Sequence, residues 1–101
     1  MAVFDPERPV SDRPRIVVTF CVKCHWHIRA GWMAQELFST FGDQIGELAL
    51  TPGDSGVFRI TCGDDVIWDR VRDDGFPDIK TLKQRVRDLV EPGRDLGHVD
   101  R

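Results

Sequence analysis

The feature that most constrains this chain is an apolar run that leads directly into two closely spaced cysteines. Residues 16–20 form a short, continuous and mostly β-branched run, which is typical of a strand buried on both faces in a parallel or mixed sheet. Cys21 and Cys24 follow at once, and a helical pattern then reaches Gly42. We therefore predict strand, Cys-x-x-Cys and helix in direct succession. The apolar residues at helical spacing are Ala30, Met33, Ala34, Leu37 and Phe41.

Two thiols at the start of a predicted helix indicate redox chemistry. The unpaired N–H groups and the dipole of a helix N-terminus favour negative charge, so a thiol there has a lowered pKa and forms the nucleophilic thiolate more readily. A spacing of two residues also lets the sulfur atoms meet as a disulfide. We predict that Cys21 and Cys24 are catalytic: one attacks a disulfide or oxidised sulfur, and the other resolves the mixed intermediate. Lys23, His25 and His27 are expected to place positive charge near the thiolate.

The size and charge of the chain exclude several classes of function. A length of 101 residues suits one small domain, and a net charge of −3 leaves no basic excess for binding nucleic acid. No apolar run approaches the roughly 18 residues that a membrane span needs, and the N-terminal residues lack the apolar segment of a secretory signal. Three cysteines are an odd number, which does not suit a secreted disulfide framework. We therefore expect a cytoplasmic protein.

Beyond Gly42 the patterns predict three more strands and a second helix. Alternating residues mark strands at 45–51, 57–62 and 66–70, and the last two form a hairpin. Apolar residues at helical spacing between positions 79 and 90 predict a helix that begins at Pro77 or Asp78.

This element order predicts an α/β, thioredoxin-like fold, β-α-β-β-β-α, with a four-stranded mixed sheet and two helices. The domain is expected to cover residues 15–93, after an extended arm at 1–14 and before a polar tail at 94–101. Cys-x-x-Cys next to a βαβ pattern is a recognised redox signature, and it would lie at the carboxyl end of the first strand, where open α/β sheets bind ligands.

Zinc binding is the main alternative chemistry for these side chains. Only the first cysteine pair has zinc-finger spacing, and no second pair of that kind follows, so we predict no metal and no cofactor. Cys62 ends a predicted strand and is expected to be a small buried hydrophobe. The residues with ligand chemistry are Cys21, Cys24, His25, His27, Cys62 and His98.

The ordered series of motifs resembles the Rdx family, the group of selenoproteins W, T and H, and in particular its bacterial cysteine-containing members. The resemblance covers residues 15–100 and does not depend on the Cys-x-x-Cys alone. The segments that carry it are FCVKCHW at 20–26, RAGWMAQELFSTFG at 29–42, TPGDSGVFRI at 51–60, VIWDR at 66–70, GFPDIKTLKQRVRD at 75–88 and DLGHVD at 95–100.

The resemblance implies a thioredoxin-like fold without a helix between the second and third strands, and a thiol-based redox role. Selenoprotein members commonly carry selenocysteine at the position of Cys24, which implies that Cys24 attacks. Thioredoxins instead imply that Cys21 is the exposed attacking residue and Cys24 the partly buried resolving one. Thioredoxins also place a cis-proline just before the third strand, where this sequence has Gly56.

The sequence thus leads to a thiol-disulfide redox protein of cell redox homeostasis, acting on protein thiols and disulfides or on glutathione. Two alternatives stay open: a non-catalytic protein-interaction module on the same fold, or a zinc-stabilised small domain. The interaction module would present the loops around Cys21, residues 52–56 and Phe76 to its partner. A homodimer through the Phe76 loop and an edge strand is compatible with the sequence, whereas nucleic acid and membrane are not expected partners.

Overall fold

The computed structural model describes residues 12–97. Most of the predicted N-terminal arm and the end of the predicted tail, including His98, lie outside the described residues. The elements confirm the predicted order and are β1 (Arg15–Cys21), α1 (His27–Phe41), a 3-10 turn (Gly42–Gln44), β2 (Glu47–Gly53), β3 (Phe58–Cys62), β4 (Asp65–Asp69) and α2 (Ile79–Val90).

The four strands form one mixed sheet in the order β2-β1-β3-β4. The central strand β1 is parallel to β2 and antiparallel to β3, and β3 and β4 form an antiparallel hairpin. The register places Cys21 opposite Gly53 and places Phe20 opposite Phe58. The ends of β1 and β2 and the start of β3 therefore meet at one edge of the sheet, where Cys21 lies.

Both helices pack against the same face of the sheet, so β1 is not buried equally on its two faces as predicted. Ile16 and Val18 are completely buried, whereas Val17 and Thr19 on the opposite face are half-buried. In the described part of the chain, that second face has no helix packed on it. The residues that form the core cluster are Ile16, Val18, Phe20, Ala30, Met33, Leu37, Phe41, Ile45, Phe58, Ile60, Cys62, Ile67, Trp68, Leu82, Val86 and Val90.

Asp78 sets the start of α2, in agreement with the sequence prediction. Its carboxylate accepts the backbone N–H of Thr81 at 2.7 Å, which satisfies one of the N–H groups that have no partner inside a helix. The chain leaves the helix after Val90. Within residues 12–97, no helix has the length and apolar character needed to cross a membrane.

Candidate functional site

The two cysteines of the Cys-x-x-Cys motif lie side by side at the carboxyl end of β1. Cys21 is the last residue of that strand and is only 1% exposed, whereas Cys24 lies in the following turn and is exposed. Both thiols are free, and the thiol of Cys24 donates a hydrogen bond to the sulfur of Cys21 at 2.7 Å. The buried residue is thus the first cysteine, which is the reverse of the thioredoxin arrangement.

A turn separates the cysteines from α1, so the prediction that the thiols lie at the helix N-terminus is wrong. The helix begins at His27, after a turn in which the N–H of His25 donates to the carbonyl of Val22 at 2.9 Å. His25 has a φ of 59°, in the left-handed region, and a right-handed helix cannot pass through a residue in that conformation. The N–H groups around the thiols therefore come from this turn and from a neighbouring loop.

The surroundings of Cys21 stabilise its thiolate. The hydrogen bond from the Cys24 thiol is the main cause that lowers the pKa of Cys21, followed by the backbone N–H of Gly56. The N–H groups of Cys24 and Lys23 act in the same direction, and burial acts against them. When the pair loses a proton, the negative charge is therefore favoured on Cys21, the sulfur surrounded by hydrogen-bond donors.

The pKa of Cys24 is shifted in the opposite direction. Donation of its proton to Cys21, and then burial, raise the pKa of Cys24, while the N–H of Gly56 and the positive charge of Arg70 act to lower it. The sequence suggested Lys23, His25 and His27 as sources of positive charge. In the structure, Arg70 is a cation that acts to lower the pKa of Cys24.

Gly56 and Arg70 are the site residues that the sequence prediction missed. Gly56 lies in the loop between β2 and β3, and this loop is anchored to the site because the N–H of Cys21 donates to the carbonyl of Val57 at 2.9 Å. The sequence did contain a signal, since Gly56 occupies the position where thioredoxins carry their cis-proline. Arg70 gave no comparable signal, because it reaches the site only through the register of β3 and β4.

An aromatic cluster supports the turn that carries Cys24. The ring of Trp26 packs edge-to-face against Phe76, with centroids 4.8 Å apart, and Phe76 packs in the same way against Phe58 at 5.1 Å. The guanidinium of Arg29 lies over Phe76, 4.2 Å from the ring centroid. The contacts of Trp26 are therefore those of a packing residue that fixes the end of the turn.

Cys62 lies away from this site. It is opposite Ile16 in the sheet register, at the other end of β1 from Cys21. As predicted, it is buried, and burial raises the pKa of its thiol. Among residues 12–97, no group of three or more His, Cys, Asp or Glu side chains is arranged to hold a metal ion, and His98 lies outside that range.

Comparison with known proteins agrees with the resemblance drawn from the motifs. The model of the Rdx family matches residues 15–88. The structure of a protein from Bordetella parapertussis is similar, with 57% identity over 76% of this chain and 98% of the other, and a TM-score of 0.75. A selenoprotein W-related protein from Vibrio cholerae has 42% identity over 79% of this chain and 100% of the other, with a TM-score of 0.77. No curated protein matches significantly. With the family match covering both cysteines and the whole sheet, this chain belongs to the Rdx family.

Proposed function

We propose that the protein is a thiol-disulfide redox protein in which Cys24 attacks the substrate and Cys21 resolves the intermediate. The observation that carries the proposal is the hydrogen bond of 2.7 Å from the exposed Cys24 thiol to the buried Cys21 sulfur. Access favours Cys24 as the attacking residue, because a substrate sulfur cannot reach a side chain that is 1% exposed. The lowered pKa of Cys21 favours its thiolate form, and the hydrogen bond already directs at that sulfur the proton that Cys24 must lose.

The electrons and protons of this reaction balance between the thiol–thiolate pair, a substrate disulfide and water. The proton of Cys24 passes to Cys21, and the Cys24 thiolate attacks one substrate sulfur, so a mixed disulfide forms and a substrate thiolate leaves. Cys21 then gives this proton to the departed substrate thiolate and attacks the sulfur of Cys24. This step releases the second substrate thiolate and forms the Cys21–Cys24 disulfide. The substrate has then gained two electrons and the single proton of the pair, and its second thiolate takes a proton from water.

The proposed substrates are protein disulfides or glutathione, in keeping with a role in cell redox homeostasis in the cytoplasm. Two features support this substrate class. Cys24 lies on an exposed turn, where a sulfur carried on another molecule can approach it. The reaction also needs only sulfur chemistry that the pair itself supplies, so no cofactor is part of the proposal.

The test is a redox titration of the full chain across a series of glutathione ratios, read by intact mass after thiol trapping. We expect a cooperative two-electron oxidation within about −300 to −180 mV. Cys21→Ser and Cys24→Ser should each abolish it. Cys62→Ser is the matched control and should leave it unchanged, because Cys62 lies at the opposite end of β1 from Cys21.

The single variants also identify the attacking residue. Cys21→Ser leaves the exposed thiol and should form a mixed disulfide with glutathione quickly, whereas Cys24→Ser leaves only the buried thiol and should form it slowly. The reverse order of rates would assign the attack to Cys21. Thiols that stay reduced across the whole series would overturn the redox function and favour a non-catalytic interaction module. One bound zinc ion per chain would instead favour a metal-stabilised domain.

A further inference from the structure

Arg70, the residue that follows β4, contacts two parts of the site. Its Nε donates to the carbonyl oxygen of Gly56 at 2.9 Å, and its guanidinium lies over Trp26, 5.3 Å from the ring centroid. Its own N–H donates to the carbonyl of Phe58 at 2.9 Å, so the side chain extends from a fixed point at the margin of the sheet. Arg70 therefore connects the sheet to the loop and to the turn that surround the thiols.

Gly56 is the residue through which Arg70 reaches the sulfur atoms. It is the third residue of a turn closed by a hydrogen bond of 3.2 Å from the N–H of Val57 to the carbonyl of Asp54. Its φ of +80° is the value that a type II turn requires at this position, and glycine adopts it without strain. Hydrogen bonding from the backbone N–H of Gly56 acts to lower the pKa of both Cys21 and Cys24. One residue thus offers its N–H to the thiols and its carbonyl to the guanidinium.

We propose that Arg70 is the positioning residue of the thiol pair: it anchors the carbonyl of Gly56 and so keeps the N–H of that residue directed at the two sulfur atoms. The inference rests on the proposed redox function, since positioning matters only if the thiols react. Packing alone does not hold the turn, because Asp54 and Ser55 are exposed. Glycine also has access to more backbone conformations than any other residue, so the orientation of this N–H needs an anchor.

A second arginine supplies a matched control within the same fold. Arg85 on α2 donates to the backbone carbonyl of Ile67 at 2.8 Å, and its guanidinium lies 4.5 Å from the ring centroid of Trp68. Both arginines thus donate a hydrogen bond to a main-chain carbonyl and place their guanidinium over a tryptophan ring. Of the two, only Arg70 binds Gly56, whose N–H acts on the thiols. Substitution of Arg85 therefore shows the effect of a general loss of stability, and substitution of Arg70 adds the effect of a displaced Gly56 N–H.

The experiment measures the rate at which iodoacetamide alkylates Cys24 in the reduced full chain as a function of pH, in a Cys62→Ser background. Arg70→Gln should lower the rate at pH 7 by about three- to tenfold and move the midpoint of the pH profile upward, because the thiolates lose a donor and a neighbouring cation. Arg70→Lys should recover only part of the rate, since lysine restores the charge but not the planar donor that stacks on Trp26. Arg85→Gln should leave the profile unchanged, whatever it does to stability.

Gly56→Ala tests the route of the effect. A side chain at this φ strains the turn and moves its N–H, so the variant should show the loss seen with Arg70→Gln. The double variant should be no slower than either single one, because both act through one interaction.

A profile for Arg70→Gln that matches wild type would overturn the proposal. Full recovery by Arg70→Lys, or additive losses in the double variant, would overturn it as well, by showing that Arg70 acts through its charge alone or independently of Gly56. Alkylation needs no redox partner, so these results do not depend on the outcome of the glutathione titration.

Discussion

At the scale of single residues, the two neighbouring sulfurs of the site differ in two properties. Negative charge is favoured on Cys21, whereas Cys24 is the sulfur that a reagent can reach. Cys21 accepts hydrogen bonds from the Cys24 thiol and from backbone N–H groups, and is buried. Cys24 is exposed and holds the proton. A reagent can reach only the thiol of higher pKa, so reaction requires a proton to move between the sulfurs. We therefore expect the donors around Cys21 to influence the reactivity of Cys24.

Substitution by alanine should change the free energy of unfolding in opposite directions at Gly53 and at Gly31. A Cβ at Gly53, opposite Cys21 in the sheet, would lie 2.5 Å from Cγ2 of Thr19 and 2.7 Å from Cγ1 of Val57, both on β-branched side chains that cannot turn aside easily. Gly53→Ala should therefore lower the free energy of unfolding by about 1–3 kcal/mol. Gly31 lies within α1, and beyond its chain neighbours and the backbone of its own helix nothing lies within 4 Å of its Cβ position.

Gly31→Ala should raise the free energy of unfolding by about 0.5–1 kcal/mol, because alanine loses less backbone entropy in a helix. Urea unfolding followed by circular dichroism measures both variants. A Gly53→Ala protein as stable as the wild type would contradict the crowding at the end of β2.

At the scale of elements, α2 allows its packing to be tested within one helix. Leu82 is 0% exposed in the core cluster, whereas Leu89 is 43% exposed. Leu82→Ala should cost about 2–5 kcal/mol of unfolding free energy, because it removes buried methyl groups and leaves a cavity. Leu89→Ala should cost about 0.5 kcal/mol or less, as surface substitutions usually do. Equal losses in urea unfolding would mean that α2 packs on the sheet through a different face.

The elements were predictable from sequence where a local repeat determines them. The periodicity of α1 is strong from Ala30 to Phe41 and correctly gives the end of that helix. This periodicity contains no information about residues 24–26, and the predicted start of α1 was therefore wrong. The left-handed conformation of His25 arises in a turn and leaves no trace in a pattern of apolar residues. The two buried faces predicted for β1 failed for a related reason, since a run of β-branched residues does not reveal how many faces the helices cover.

The site was predictable only where sequence neighbours form it. The spacing of Cys21 and Cys24 brings their sulfurs together at the end of β1, as the motif indicated. Gly56 and Arg70 are separated by 14 positions and meet through the pairing of β3 with β4 and the direction of one long side chain. Neither the strand pairing nor the direction of the Arg70 side chain can be predicted from the spacing of residues along the sequence. The same limit applies to positive charge, because Arg70, a cation that acts to lower the pKa of Cys24, lies far from that residue in sequence.

At the scale of the whole molecule, a network built on two aspartates connects the hairpin to α2. Asp69 accepts the Nε of Arg59 at 2.9 Å and the N–H groups of Val71 and Arg72, and the Arg59 hydrogen bond is the main cause that lowers its pKa. Asp73 accepts the N–H of Asp69 at 2.9 Å, which is the main cause of its own lowered pKa. It also pairs with Arg85 of α2 at 3.3 Å. The charged forms of both carboxylates therefore hold separate elements together.

This network predicts the direction in which stability depends on pH. A carboxyl whose pKa is lower in the folded state contributes stability above its unfolded pKa of about 3.9 and loses it as pH falls through the folded value. The free energy of unfolding should therefore be higher at pH 6 than at pH 3, with the decline beginning near pH 4–5. Asp73→Asn should lower stability at pH 6 and flatten the decline, since its side chain cannot be protonated in this range. Urea unfolding between pH 3 and pH 6 measures both proteins. Parallel curves would show that Asp73 does not couple the hairpin and α2 to pH.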